Sequence, residues 1–273
     1  MRLADRHRWL TLGAHLVDAG RGAETSIDAR FGLAPAQLQR TTIESYDHIA
    51  AQFADRWFDH PPERELDLFL RQLRPRSRVL DAGCGPGHHA RLISLAGHDV
   101  VAVDLSDGML RQARRRVPSI RSMKMNLAAL TFAAGTFDAI WCAAAILHIP
   151  REHLAAVLRG FRRVLAPGGL LGLNFQVGRN SELVQRGRDH RFFEYYADAA
   201  PIAACVERAG FTIDAEVYGE TTRNTHDLDL TLKWSTLYAR AGLYLSAGIS
   251  RTPRSPFRIA RQRSSSFSLQ ARK

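Results

Sequence analysis

Two acids and a glycine-dense turn carry the strongest chemical signal in this chain. The apolar run Val79-Leu80 ends in Asp81, and the loop Gly83-Cys84-Gly85-Pro86-Gly87 follows it, with glycine at every second position. A second apolar run, Val100 to Val103, ends in Asp104. Glycine lets the backbone turn sharply and lie bare against a ligand. A strand, an acid, a glycine loop and a helix, followed by a strand that ends in a carboxylate, build a nucleoside-binding crevice at the carboxyl ends of parallel strands. Dinucleotide sites space their glycines as GxGxxG, with a pyrophosphate at the helix N-terminus. The compressed GxGxG here suggests a ligand without a pyrophosphate and argues against a nicotinamide-dependent dehydrogenase.

The elements that must position these residues can be read from periodicity. A helix is expected over 42–57, where Ile43, Tyr46, Ile49, Ala50, Phe53 and Trp57 recur on one face. Strands are expected over 78–81, 99–104, 120–125, 137–142, 170–177, 211–218 and 231–239. Helices are expected over 88–96, 107–116, 151–165 and 199–209, the first and last closed by Gly97 and Gly210 at their C-caps. Strand–helix alternation of this kind predicts an α/β fold, a mostly parallel sheet covered on both faces.

The 273 residues are 45% apolar and 24% charged, ordinary for a globular protein, and allow one α/β domain with appendages. The net charge of +11 is uneven: residues 243–273 hold seven of the cations and no acid, leaving +4 for the rest. This tail also has seven serines and two prolines, and too little apolar area to offset ordering entropy. The expected organisation is therefore an extension over 1–40, a domain over 41–242 and a disordered basic tail over 243–273. Because the basicity belongs to the tail, it argues little for a nucleic-acid substrate. Cys84, Cys142 and Cys205 are scattered and form no zinc or disulfide spacing, so no metal is expected and a reducing, cytoplasmic setting is the default. No apolar run reaches the roughly 18 residues of a membrane span. His88 and His89, at a helix start, are expected to be surface or capping groups.

The segments VLDAGCGPGHHA, VVAVDLSDGMLRQAR, MNLAAL, FDAIWCAAAILHIP and VLAPGGLLGLNF together resemble the ordered motifs of the class I S-adenosylmethionine-dependent methyltransferases. The resemblance runs over residues 41–240, is specific for the cofactor class and says little about the substrate. It implies a Rossmann-like, doubly wound, seven-stranded sheet whose last strand is antiparallel. It also implies S-adenosyl-L-methionine as cofactor. In that family pattern Asp81 orders the loop and approaches the methionine amino group. Backbone of Ala82, Gly83, Cys84, Gly85 and Gly87 lines the methionine part. Asp104 accepts both ribose hydroxyls, Leu105 and Met109 pack on the adenine, and Leu127 supplies a neighbouring backbone amide. Asn126 stands where the family usually has Asp for the adenine amino group. Tyr46, in a YDxIA pattern, covers the cofactor, and Cys142 contributes backbone at the fourth strand's end. Plainer readings stand beside these: Asn126 as a turn residue, and Tyr46, Phe53, Trp57 and Met109 as core packing.

The chemistry so implied is in-line displacement of a methyl group from sulfur, in which placement of the nucleophile supplies most of the rate. A general base is optional. His148, in Leu147-His148-Ile149-Pro150, is the candidate base; the alternative is that it holds its loop by hydrogen bonds. Substrate-side residues are expected from the N-terminal helix and from Arg191-Phe192-Phe193-Glu194-Tyr195-Tyr196, which either line an acceptor pocket or close the sheet edge. The chain has Cys142-Ala143-Ala144-Ala145 where base-modifying relatives carry (N/D)PP(Y/F), which favours a small-molecule acceptor. Two alternatives remain open at this stage: a cofactor-binding regulatory or scaffold protein, and a nucleic-acid methyltransferase tethered by the tail.

Overall fold

The computed structural model describes residues 31–59, 64–178, 181–186, 189–225 and 228–242. The extension up to residue 30 and the basic tail, on which sequence expectations were placed, lie outside the described residues.

The chain begins with α1 (Pro35–Trp57) and α2 (Arg64–Leu70). It continues through β1 (Arg78–Ala82), α3 (His88–Leu95), β2 (Asp99–Asp104), α4 (Asp107–Arg116), β3 (Arg121–Lys124) and β4 (Phe137–Ala143). Then come α5 (Arg151–Val164), β5 (Leu165–Val177), the hairpin β6 (Glu182–Arg186) and β7 (Asp189–Phe193), α6 (Ala200–Arg208), β8 (Phe211–Thr225) and β9 (Leu228–Ala241). The seven-stranded sheet has the order β3-β2-β1-β4-β5-β9-β8. β1 pairs in parallel with both β2 and β4, and β4 with β5. β9 alone runs antiparallel, inserted between β5 and β8. The expected sheet, with its last strand reversed, is the one observed.

Period-two alternation in the strands divides the core. Val79, Val100, Ala102, Ala139 and Trp141 face α2, α3 and α4, packing with Phe69, Ile93 and Leu110. Leu80, Val101, Val103, Ile140 and Leu173 face α5 and α6, packing with Leu158, Phe161, Ile202 and Val206. Both faces of the central strands are covered, as a parallel sheet requires. At Gly172 a Cβ would lie 2.6 Å from the Trp141 ring and 2.7 Å from that of Phe69, so only glycine admits both rings there.

The chain winds outward from β1 to β3, then crosses to β4 on the other side of β1. This reversal opens the crevice at the carboxyl ends of β1 and β4. Several elements differ from expectation. α1 starts at Pro35 rather than residue 42, with Pro35 in the first helical position and the Ala34 N–H donating to Gln37 Oε1 at 2.8 Å. The short α2 and the β6–β7 hairpin were not expected. β8 runs to Thr225, well past its expected end at 218, and β9 starts at Leu228, three residues before its expected start at 231. No helix among the described residues is long and apolar enough to cross a membrane.

Candidate active site

β1 delivers Asp81 and Ala82 to the crevice, and the turn beyond depends on its glycines. Gly83, Gly85 and Gly87 all have positive φ (81°, 53° and 84°), with Gly87 capping α3. At Gly83 a Cβ would meet that of Ala145 at 2.3 Å, which shows how closely this loop approaches the exit of β4. The Gly83 and Cys84 N–H groups donate to the Val103 carbonyl at 2.8 and 2.9 Å, tying the turn to β2.

Asp104 completes the tie. Its Oδ2 accepts the Gly85 N–H and its Oδ1 the Ser106 N–H, each at 2.9 Å. Each oxygen retains a further lone pair. Burial pushes the Asp104 carboxyl above the usual carboxylate range, opposed by the backbone N–H groups of Ser106, Gly85 and Leu105. Asp81 is 2% exposed, and burial, with the Asp104 charge adding to it, raises its pKa to about 7. Its Oδ2 is buried and has no hydrogen-bond partner among the described residues.

α1 lies across these loops. Asp47 Oδ1 accepts the Ser106 hydroxyl and the Gly108 N–H, both at 2.6 Å, placing a carboxylate on the first turn of α4. Gly108 permits the contact, because a Cβ there would lie 2.8 Å from the Asp47 backbone. The next face of α1 meets β7: Phe192 N–H donates to Thr42 Oγ1 at 3.0 Å, and Arg191 Nε donates to Ser45 Oγ at 2.7 Å. Tyr46, between these contacts, reaches His148 Nε2 with its hydroxyl at 2.7 Å.

His148 ends a single 3₁₀ turn, Ile146–His148, just after β4. Its Nδ1 lies 2.7 Å from the Phe192 carbonyl. A carbonyl can only accept, so Nδ1 carries the proton and the neutral Nε2 accepts from Tyr46. Burial lowers the His148 pKa to about 4, with the Arg191 charge adding to the fall against the Phe192 carbonyl. The imidazole is thus neutral at physiological pH, with both nitrogens engaged. The ring of Phe193 lies 4.8 Å from it and stacks on Tyr195 at 5.7 Å. Ala144, in the same exit loop, holds φ of 53°, a strained conformation for a residue with a Cβ.

The remaining candidates fall as follows. Met109 is buried and Leu105 partly so, beside Asp104. Leu127 is buried in the 3₁₀ turn Leu127–Ala129. Asn126 caps that turn, its Oδ1 accepting the Ala128 N–H at 2.9 Å. Cys84 and Cys142 are buried thiols, both held protonated chiefly by burial. His89 corrects its expectation: it is buried at 6% exposure and accepts the Trp141 indole N–H at 3.1 Å. Sequence reasoning did not single out Asp47, Ser106 or Ala144. The Tyr46-Asp47 pair was the available signal for the first of these.

Residues 79–169 match the family model described as a methyltransferase domain. The chain belongs to the class I S-adenosylmethionine-dependent methyltransferases. It is 41% identical over 109 residues to a malonyl-[acyl-carrier protein] O-methyltransferase of Pseudescherichia vulneris, covering 39% of this chain and 42% of that protein. It is 30% identical over 179 residues to a trans-aconitate 2-methyltransferase of Paracidovorax citrulli, covering 65% of this chain and 66% of that protein. The first curated relatives are matched over only 39–43% of their length. Among solved structures, a Burkholderia thailandensis 1,6-didemethyltoxoflavin-N1-methyltransferase with bound S-adenosylhomocysteine superposes with a TM-score of 0.58 at 20% identity, over 83% of this chain and 93% of that one. At that identity the likeness is one of fold. The methyltransferase motifs coincide with the crevice: the family match begins at Val79 in β1 and takes in both acids and His148.

Proposed function

We propose that this protein transfers the methyl group of S-adenosyl-L-methionine to a small-molecule acceptor. The observation that carries the reading is the paired-acid crevice, in which a buried Asp81 oxygen lacks a partner beside a glycine turn pinned by Asp104. An orphaned buried carboxylate oxygen is costly unless a ligand cation answers it, and the methionine ammonium supplies one. The spare lone pairs of Asp104 suit a ribose diol. Met109 and Leu105 offer apolar surface for the adenine, and Asn126 retains an amide N–H pair and a lone pair for its edge. The cofactor therefore fits the residues present.

When bound, the cofactor supplies a methyl group on a positively charged sulfur, which is a good leaving group. The chain's part is to bind, orient and exclude water. α1 contributes the cover, clasped by Asp47 on one side and by Tyr46 and Ser45 on the other. His148 acts as a positioning residue that joins α1, the β4 exit and β7. Its engaged nitrogens and lowered pKa favour this over proton abstraction. A small-molecule acceptor is supported by the relative named for trans-aconitate, and a relative named for malonyl-[acyl-carrier protein] likewise takes a small acyl group, there on a carrier protein. A reducing, cytoplasmic setting fits three free cysteines, two of them buried.

The test is calorimetric titration of the purified chain with S-adenosylhomocysteine, followed by transfer of labelled methyl from the cofactor into fractionated small-molecule extract. Binding and a labelled product are expected. Failure to bind the thioether at millimolar concentration would overturn the reading.

A further inference from the structure

We infer that Arg191 anchors a carboxylate of the acceptor, so that the acceptor is an organic acid; the inference rests on the methyl-transfer reading above. Arg191 lies in β7 opposite Val184 and is 8% exposed. Its Nε donates to the neutral hydroxyl of Ser45 at 2.7 Å, and its guanidinium carbon lies 4.4 Å from the centre of the Tyr46 ring. Among the described residues no carboxylate pairs with it, and its two terminal nitrogens make no hydrogen bond.

A guanidinium stays charged at any working pH, and burying it without a counter-charge is expensive. The neighbouring acids are committed elsewhere. Asp189, two residues back in β7, meets His48 Nδ1 at 2.9 Å. Glu194, three residues on and 1% exposed, pairs with Arg151 at 2.9 Å. The site is therefore short of one anion beside an open planar fork, and that fork matches a carboxylate through two parallel hydrogen bonds.

The position is right for an acceptor. Tyr46 carries Arg191 on its ring face and His148 on its hydroxyl, so the cation stands one side chain away from the turn that leaves β4. Phe193, Tyr195 and Leu147 form an apolar cluster beside it, suited to a carbon skeleton. An acid ionised at neutral pH also needs nothing from His148, whose nitrogens are both engaged.

The experiment uses the full chain saturated with S-adenosylhomocysteine, titrated in a calorimeter with malonate, succinate, benzoate and phenylacetate, each beside its amide. At least one acid is expected to bind, with its amide weaker by about tenfold or more. Arg191→Met should lose the acid by at least about tenfold and Arg191→Lys by less, because a point charge cannot reproduce the fork. Affinity for S-adenosylhomocysteine should hold in both variants. Acid binding that survives Arg191→Met, or a thioether-binding protein that takes none of the acids, overturns the inference. A variant that loses the thioether instead places the guanidinium on the cofactor's own carboxylate and also overturns it. A wild-type protein that binds no thioether fails at the earlier reading. Should Arg191→Met not fold, Arg191→Lys and the acid–amide pairs decide.

Discussion

The pKa of Asp81, about 7, makes cofactor affinity depend on pH in a calculable way. The ligand's ammonium is met by the ionised carboxylate, whereas the free protein favours the neutral acid because the group is buried beside Asp104. Binding below pH 7 must therefore expel a proton. At pH 6 about one Asp81 in ten is ionised, so affinity for S-adenosylhomocysteine should be roughly tenfold below its plateau, a cost of about 1.4 kcal/mol. Affinity should rise by about one decade per pH unit from about pH 5.5 to about 7 and level off above. Calorimetry in buffers of different ionisation enthalpy reads both affinity and proton release. Asp81→Asn should bind more weakly at pH 8 and lose most of the slope. Wild-type affinity that is flat between about pH 5.5 and 7, with no proton released, would refute the pairing of Asp81 with the ammonium. The same shift sets the free protein's stability. The folded pKa lies above the unfolded value, so this group's contribution declines as pH rises from about 4 to about 7.

Asp104→Ala should weaken S-adenosylhomocysteine binding at least about tenfold, since charge-assisted bonds to the ribose go and the Gly85 and Ser106 N–H anchors go with them; unchanged calorimetric affinity would sink the ribose assignment. His148→Ala should retain most activity once an acceptor is in hand, and a rate loss of several orders of magnitude would make it the base after all. Gly108→Ala forces a Cβ to within 2.8 Å of the Asp47 backbone. It should cost about 1–3 kcal/mol, typical of overpacking, read as a lowered Tm; an unshifted melt would show that α1 is not seated on α4.

What the sequence disclosed tracks how local each signal is. β2 and α4 fall at their expected bounds because Asp104 ends one and Ser106 caps the other, its Oγ accepting the Met109 N–H at 3.0 Å. The glycine turn was legible because positive φ leaves a glycine in the sequence. α2 was not: seven residues with two buried, Leu66 and Phe69, are too few for a period to register. The β6–β7 hairpin was missed because it is polar along much of its length and partly held by α1 through Thr42 and Ser45, contacts spanning 150 and 146 residues. Tyr46 and His148 were each singled out, but no local pattern could announce a bond across 102 residues.

These long-range contacts give α1 a meaning that its periodicity did not. Ser45, Tyr46 and Asp47 are consecutive, yet they serve two sides of the crevice. Asp47 grips the first turn of α4, whose cap, Ser106, donates its N–H to Asp104. Ser45 and Tyr46 grip Arg191 and His148 on the side assigned to the acceptor. A rigid helix cannot release one set without straining the other. Asp47 and the Tyr46–His148–Arg191 cluster are therefore seated by one and the same helix. The two halves of the proposed reaction share one helix, which sets the distance between them.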